Sequence, residues 1–348
     1  MIHAAVRDLF HRRRRYLISS FGCALVFAMS LVMTGLSAAF GVEWQRTVEA
    51  LDAGGFLTPA QLSGPFTGAS PFEAERLPDG AAPLAFAVQT ATATGTAASE
   101  PVTVAMMGVQ AGSTHEPRVT GGRQLSGTGE VLASNRSPFG VGDRVRISGR
   151  SFEVVGTLAD LSVNGGMPGV VVSLADAQEI LFRGLPLVTA GIVAGDLEAV
   201  AAPDGLQVQT AAAATEDALR LLASARRSID FVKVLLWVVA ALIVGSVTFL
   251  SVIERLRDFA VFKAIGTSAG SIAAGVVLQA VALALVSSLL GAAIGWLIAP
   301  AFPMPVVISA TATALLPALG SAVGAVASLF GLSRVLRVEP ALAFGGAA

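Results

Sequence analysis

Four long apolar runs divide the chain into alternating membrane-like and polar parts. They cover residues 16–40, 231–253, 271–299 and 306–332. Residues 16–40 contain no charged side chain, and a helix of about 25 residues is long enough to cross the hydrocarbon layer of a bilayer. The pattern therefore predicts an α-helical membrane protein with four transmembrane helices, grouped as one plus three.

The start of the first run also resembles a secretory signal peptide. Arginines precede it, and the small residues Ser37, Ala38 and Ala39 imitate a cleavage site. The apolar core of a signal peptide is only about 7 to 15 residues long. This run is longer, and it predicts an uncleaved anchor.

A long polar region, residues 41–230, separates the first span from the other three. Short β patterns lie at residues 101–108, 142–156 and 169–172, and the second contains a turn at Ser148–Arg150, which predicts a hairpin. Ser173 with Asp176 forms a capping box that opens a helix over 174–182. Residues 91–99 have the composition of a loop or a hairpin tip. The region predicts an inserted α+β extracytoplasmic domain between transmembrane helices 1 and 2.

Two amphipathic stretches predict helical stalks at the borders of this domain. The first carries Val42, Trp44, Val48 and Leu51 at helical spacing, and the second covers residues 215–231. We expect each stalk to continue the neighbouring span.

The distribution of arginines predicts the orientation. Residues 1–15 form an amphipathic lead-in that ends in four arginines, and the tail, residues 333–348, carries two more, whereas the connector 300–305 has no charge. Positive charge marks the cytoplasmic side. We expect a multi-pass membrane protein, in contact with membrane lipids and with both termini in the cytoplasm.

The segment 254–270 concentrates charge between the second and third spans. Five charged residues fall within ten positions, while apolar residues recur at helical spacing: Glu254, Arg255, Arg257, Asp258 and Lys263, with Leu256, Phe259, Ala260, Phe262 and Ala264. This pattern predicts an interfacial helix with one apolar and one charged face, ended by a turn at Gly266. A basic loop that only obeys the positive-inside rule is the alternative.

The composition and the absence of certain sequence motifs argue against several classes of function. The chain is 54% hydrophobic with a net charge of −1, which gives no reason to expect a nucleic-acid partner. No glycine-rich phosphate loop is present, and the three histidines, His3, His11 and His115, form no metal-binding motif. We expect a non-catalytic chain without a metal site or a cofactor of its own. The one cysteine, Cys23, lies in an apolar run, so no disulfide within the chain is possible.

Two motifs carry a family resemblance. The run Arg255-Leu-Arg-Asp-Phe-Ala-Val-Phe-Lys-Ala-Ile-Gly-Thr-Ser268 follows the second span, and the polar domain contains Gly122–Leu125, Gly140–Val145, Phe152–Gly156 and Ser173–Leu181. With the order of spans, these segments resemble the FtsX-like, MacB-type ABC transporter permeases, relatives of MacB, LolC, LolE and FtsX. Asp258, Ala260 and Lys263 stand where that family usually has Glu, Gly and Arg, and the tail after Pro340 departs from its pattern.

The resemblance implies a dimeric permease subunit, paired with a second copy or a paralogue, that works with a separate ABC-type ATPase holding ATP and magnesium. It implies a coupling segment made of Glu254, Arg255, Arg257, Asp258, Phe259, Phe262, Lys263 and Gly266, with Phe259 and Phe262 wedged into the ATPase or the bilayer. The resemblance also implies a location in the bacterial plasma (inner) membrane and the export or extraction of a lipid, a peptide or another amphipathic cargo. The alternatives are a mechanotransmitter that regulates a cell-wall hydrolase or another extracytoplasmic partner, and a receptor without ATP coupling.

Overall fold

The computed structural model describes residues 13–67, 70–94, 100–195, 197 and 200–329. The predicted lead-in, for all but its last residues, and the tail lie outside the described residues. The chain divides into two compact units, which we call the helical unit (Met1–Ala38 with Arg226–Ala348) and the sheet unit (Ala39–Ala225).

The elements follow one another in the order helix, sheet domain, helices. The helices are α1 (Arg13–Ala50), α2 (Leu174–Phe182), α3 (Ala211–Arg220), α4 (Ala223–Glu254), α5 (Leu256–Ala264), α6 (Ala269–Ile298) and α7 (Ala310–Ala327). The strands are β1 (Gly55–Pro59), β2 (Phe72–Glu73), β3 (Ala81–Thr94), β4 (Val102–Val109), β5 (Val119–Gly122), β6 (Glu130–Ser134), β7 (Arg144–Ile147), β8 (Arg150–Leu158), β9 (Ser162–Val163), β10 (Met167–Ser173), β11 (Leu187–Val188), β12 (Ala190–Val193) and β13 (Leu206–Thr210).

Among the described residues, four helical stretches are long and apolar enough to cross a membrane: Leu17–Ala50, Ala223–Glu254, Ala269–Ala301 and Ala310–Ala327. The fourth helix begins later than the apolar run that predicts it, at Ala310 instead of residue 306. The preceding residues are extended and lie against α1, where the backbone N–H of Val307 donates to the carbonyl of Gly35 over 3.0 Å. Ser309 then caps α7 by accepting from the N–H of Ala312.

Glycines bring the helices of the helical unit into close contact. A Cβ at Gly291 of α6 would lie 2.7 Å from the carbonyl oxygen of Ala24, and one at Gly324 of α7 would lie 2.8 Å from that of Ala280. Gln279 of α6 donates to Ser251 Oγ of α4 over 3.1 Å. The small residues and the amide of the apolar runs therefore serve packing within the chain.

Six strands of the sheet unit pair in a closed ring. Around the ring, β3 pairs with β4, β4 with β10, β10 with β6, β6 with β8, β8 with β7, and β7 again with β3. The pairs β4–β10 and β6–β8 are parallel and the others are antiparallel. Beyond this ring, β12, β1 and β13 extend the sheet from β3, β5 pairs with β8, and β9 pairs with β10, whereas β2 and β11 form a separate two-stranded sheet. Closure leaves these six strands without free edges at the paired positions.

Apolar cores cover both faces of the central strands. On β4, Met106 belongs to the core that contains Phe152 and Ile147, whereas its neighbour Met107 belongs to the core that contains Trp44 and Leu51. Strands buried on both sides read as continuous apolar runs, which is the pattern of Val102–Val109 and Met167–Ser173.

The local sequence predictions differ in their outcome. The hairpin over 142–156 and the helix Leu174–Phe182 are confirmed, and Ser173 caps that helix by accepting from Asp176 N–H. The loop or hairpin tip predicted over 91–99 starts too early, because residues 91–94 still belong to β3 and pair with β7, and Ala91 also pairs with Val102 of β4. The stalk predicted over 215–231 is two helices, because the chain turns at Leu221 and Leu222. Apolar spacing alone does not reveal so short a break.

Candidate functional site

The helix α5 lies between two long apolar helices, and both of its ends are defined. It is separated from α4 by Arg255, whose backbone is not helical. At its end the N–H of Gly266 donates to the Lys263 carbonyl, and that of Thr267 donates to the Phe262 carbonyl. Gly266 has φ +95°. This is a Schellman C-terminus, which favours glycine at that position because other residues are strained there.

One face of α5 is packed inside the helical unit. Phe259 is 7% exposed and Ala260 is fully buried, and Phe259 clusters with Val252, Ile272 and Val276 from the flanking helices. Leu256 and Phe262 pack against the same cluster. The apolar side chains thus fix α5 against α4 and α6. The family resemblance predicts that Phe259 projects into the ATPase or the bilayer, but in the structure this side chain is buried.

The opposite face of α5 is exposed. It carries Arg257 and Asp258 in the first turn, Val261 one turn later and Ile265 at the end, and Glu254 lies just before it. Val261 is 45% exposed and Ile265 is 73% exposed. We call Glu254, Arg257, Asp258, Val261 and Ile265 the coupling face. Exposed apolar side chains bordered by charged ones resemble the apolar centre and polar rim of a protein–protein interface.

The eight residues predicted for coupling therefore separate into three groups. Glu254, Arg257, Asp258 and Gly266 are exposed, Phe259 is buried, and Arg255, Phe262 and Lys263 are half-buried. We call Phe259 the anchor, because it is the buried aromatic side chain that holds α5 in place. Arg255 covers this anchor, since its guanidinium carbon lies 5.9 Å from the centre of the Phe259 ring. Sequence reasoning missed Val261 and Ile265, although helical spacing from Arg257 and Asp258 places them on the same side.

A second arrangement missed by sequence reasoning lies in the sheet unit, where the end of α1 joins the hairpin β9–β10. Glu43 is 4% exposed, and its carboxylate accepts from Ser162 Oγ over 3.0 Å and from the Gly165 N–H over 2.7 Å. Next to it, Trp44 Nε1 donates to Asn164 Oδ1 over 3.3 Å, and Thr47 Oγ1 donates to the Ser162 carbonyl. We call this set the α1–hairpin joint.

The backbone of the hairpin is shaped for this joint. Asn164, Gly165 and Gly166 have φ values of +54°, +84° and +103°. Asparagine and glycine tolerate this left-handed region better than other residues. The turn therefore presents the Gly165 N–H and the Asn164 amide to α1.

Two other sets of polar groups in the sheet unit make structural contacts. His115 is buried, and its Nδ1 donates to the Leu51 carbonyl over 2.8 Å, because a carbonyl can only accept. Arg123 pairs with Glu130 over 2.6 Å, and this hydrogen-bonded arginine lowers the pKa of Glu130 to about 2. In the part of the chain that the structure describes, no group of three or more His, Cys, Asp or Glu side chains is placed to hold a metal ion.

Comparison with protein families covers most of the chain. Residues 231–340 match the FtsX-like permease C-terminal family, and residues 17–218 match the MacB-like periplasmic core domain. The chain belongs to the FtsX/MacB family of ABC transporter permeases. Within this permease, α5 lies inside the first match and the α1–hairpin joint lies inside the second.

Two relatives that match over their full length are named as ABC transporter permeases. The permease is 40% identical over 354 residues to an uncharacterized ABC transporter permease of Mycobacterium bovis, covering 99% of this chain and 100% of the relative. A second such permease, from Mycobacterium tuberculosis, is 39% identical over 351 residues with the same coverage. The crystal structure of the extracellular domain of the noncanonic ABC-type transporter YknZ, from Gram-positive bacteria, aligns with 45% of this chain and 98% of its own at 15% identity and a TM-score of 0.32.

Proposed function

We propose that this permease is the membrane subunit of an ATP-driven complex and that the coupling face of α5 binds its ABC-type ATPase. The observation that carries the proposal is the division of α5 into a buried face held by Phe259 and an exposed face that carries Arg257, Asp258 and Val261. The names of the relatives as ABC transporter permeases support an ATPase partner.

The anchoring of α5 suits the transmission of force. Because Phe259 packs against Val252 of α4 and Ile272 of α6, a displacement of α5 also displaces the ends of both helices. A well-packed contact transmits strain better than a loose one.

We propose further that the movement acts on the extracytoplasmic domain and expels or extracts an amphipathic cargo such as a lipid or a peptide. The predicted spans support this reading because they contain almost no ionisable side chain, which gives no basis for a proton relay or an ion path. In this proposal the permease works with a second copy or a paralogue, has a one-plus-three arrangement of spans, and keeps both termini in the cytoplasm.

Purification of the complex from its native host tests the proposal. The wild-type permease should copurify with an ABC-type ATPase, and Arg257→Ala/Asp258→Ala should lose both the ATPase and its activity. Arg46→Ala/Asp160→Ala in the sheet unit is a matched control, since it removes one arginine and one aspartate from an exposed ion pair. Copurification that is unchanged in the first variant contradicts the proposal.

A further inference from the structure

One side of α4 carries a continuous stripe of exposed apolar side chains. Its members follow one another at intervals of three or four residues, which places them on the same side of the helix. They are Phe231, Val234, Val238 and Leu242, and each is between 50% and 65% exposed. A stripe of this kind on a membrane-spanning helix is covered either by lipid or by another helix.

The stripe leads into a cleft of about 230 Å³ on the same helix. Leu242, Gly245, Ser246 and Phe249 line this cleft. Gly245 has no side chain, so the surface is hollow between Leu242 and Phe249. Leu242 and Ser246 are exposed, and the cleft can therefore be reached from outside the helical unit.

The other end of the stripe is positively charged. Arg227 is exposed and lies one helical turn before Phe231, on the same side of α4. The nearest acidic residue along this part of the helix is Asp230, which already pairs with Lys233 over 2.6 Å. Among the residues that the structure describes, Arg227 has no ion-pair partner. Its positive charge is therefore available to an anion outside the described chain.

The distance between the charge and the cleft matches the length of a lipid. At the rise of a helix, Arg227 and Leu242 are about 22 Å apart along α4. One leaflet of a bilayer, with its headgroups, is about 20 to 22 Å thick. A phospholipid with its phosphate at Arg227 thus lays its acyl chains along the stripe and reaches the cleft with their ends. The connector 300–305, between α6 and α7, has no charged residue that could hold a headgroup in the same way.

We propose that this side of α4 binds an anionic phospholipid of the surrounding bilayer, with the phosphate on Arg227 and the end of an acyl chain in the cleft. A guanidinium group binds a phosphate through two parallel hydrogen bonds. A second copy of the chain, packed in parallel through the same stripe, would bring its own Arg227 close to this one, and like charges repel each other. Charge therefore favours the lipid. The site does not depend on the proposed ATPase coupling.

Native mass spectrometry of the full chain in detergent micelles tests the site. The probes are phosphatidylglycerol, which is anionic, and phosphatidylcholine, which is zwitterionic and carries the same acyl chains. The permease should bind one phosphatidylglycerol per chain, about fivefold more tightly than phosphatidylcholine, which is the effect expected of one cation on an anionic lipid. Arg227→Gln should bind the two lipids equally.

Two further variants separate this site from general effects. Arg226→Gln removes an exposed arginine from another side of the same helical turn and should keep the preference for phosphatidylglycerol within about twofold of wild type. Ser246→Trp fills the cleft without changing charge and should weaken the binding of both lipids at least about fivefold. The proposal is overturned if the wild type does not prefer phosphatidylglycerol or if both arginine variants lose the preference equally. It is also overturned if Ser246→Trp separates a dimer while lipid binding is unchanged, because the cleft would then receive a second copy of the chain.

Discussion

The guanidinium carbon of Arg255 lies 5.9 Å from the centroid of the Phe259 ring, which is itself buried against Val252, Ile272 and Val276. The arginine that separates α4 from α5 therefore covers the aromatic side chain that holds α5 in place. Neighbouring charged residues of the segment 254–270 therefore have different roles. Arg255 contributes to the anchor, whereas Arg257 and Asp258 remain exposed on the coupling face.

The packing of Phe259 predicts how easily α5 separates from its neighbouring helices. Replacing Phe259 with alanine should free α5 from its neighbours, since truncation of a buried phenylalanine costs about 3 kcal/mol. A change of that size raises the population of an opened segment about a hundredfold when the opening is local. Limited trypsin digestion at Arg257, followed by mass spectrometry, measures this opening.

Val261→Ala is the matched control for this experiment. Val261 lies on the same helix but is 45% exposed. Its truncation should leave the trypsin cleavage rate within about twofold of wild type because little packing is lost. Equal cleavage of the Phe259 and Val261 variants would show that the aromatic side chain does not hold α5.

Two glycines of α6 predict opposite responses to the same substitution. Gly291→Ala should destabilise the helical unit, because the new Cβ would lie 2.7 Å from the Ala24 carbonyl oxygen and from Phe27 Cβ. Gly275→Ala, with no atom within 4 Å of its Cβ, should be neutral or stabilising by up to about 1 kcal/mol. Thermal unfolding of the detergent-solubilised variants separates these cases, and a Gly291 variant as stable as the Gly275 variant would refute close packing of α6 on α1.

The α1–hairpin joint predicts a loss of stability in the sheet unit. Glu43→Ala removes the acceptor of the Gly165 N–H and of Ser162 Oγ, and leaving the buried Ser162 hydroxyl unpaired costs about 1 to 3 kcal/mol. Gln45→Ala changes an exposed residue of the same helix and should have little effect. Hydrogen exchange at the Gly165 amide should become faster in the Glu43 variant only. Unchanged exchange would mean that Glu43 does not hold the hairpin.

The pair of Arg123 and Glu130 predicts a pH dependence. Because the arginine lowers the pKa of Glu130 from 4.5 to about 2, the folded state binds protons less readily than the unfolded state. The stability contributed by this pair is therefore complete above pH 4.5 and is lost as the pH falls towards 2.

Urea unfolding at a series of pH values tests this dependence. Arg123→Gln should flatten the loss of stability below pH 4.5, whereas Arg46→Gln should not, since Arg46 lies 3.7 Å from Asp160 in an exposed pair that contributes little. If the free energy of unfolding of the wild type and of Arg123→Gln depended on pH in the same way, the pair would make no net contribution to stability.

The sequence predicts best where local and global preferences agree. The capping box at Ser173 and the turn predicted at Ser148–Arg150 are local signals. The structure forms the first at the predicted residue and the second at Ser148 and Gly149, with Arg150 already in β8. Residues 91–94 could not be recognised as strand, because a composition of alanine and threonine becomes a strand only through pairing with distant β7.

The functional surfaces were harder to predict for a similar reason. Charge density marks the segment of α5, but the burial of Phe259 depends on Ile272 and Val276 of another helix. The partners of Glu43 are Ser162 and Gly165, more than a hundred residues away in the chain. A lone acidic residue at the end of an apolar run carries no sign of such a contact.

Site-specific photo-crosslinking tests the central claim most directly. A photoreactive amino acid placed at Val261 on the coupling face should crosslink to an ABC-type ATPase in intact cells. The same amino acid at Leu297, which is 79% exposed near the other end of α6, should not. Crosslinking of the ATPase from Leu297, or from neither position, would contradict the assignment of α5 as the site that receives the force of ATP hydrolysis.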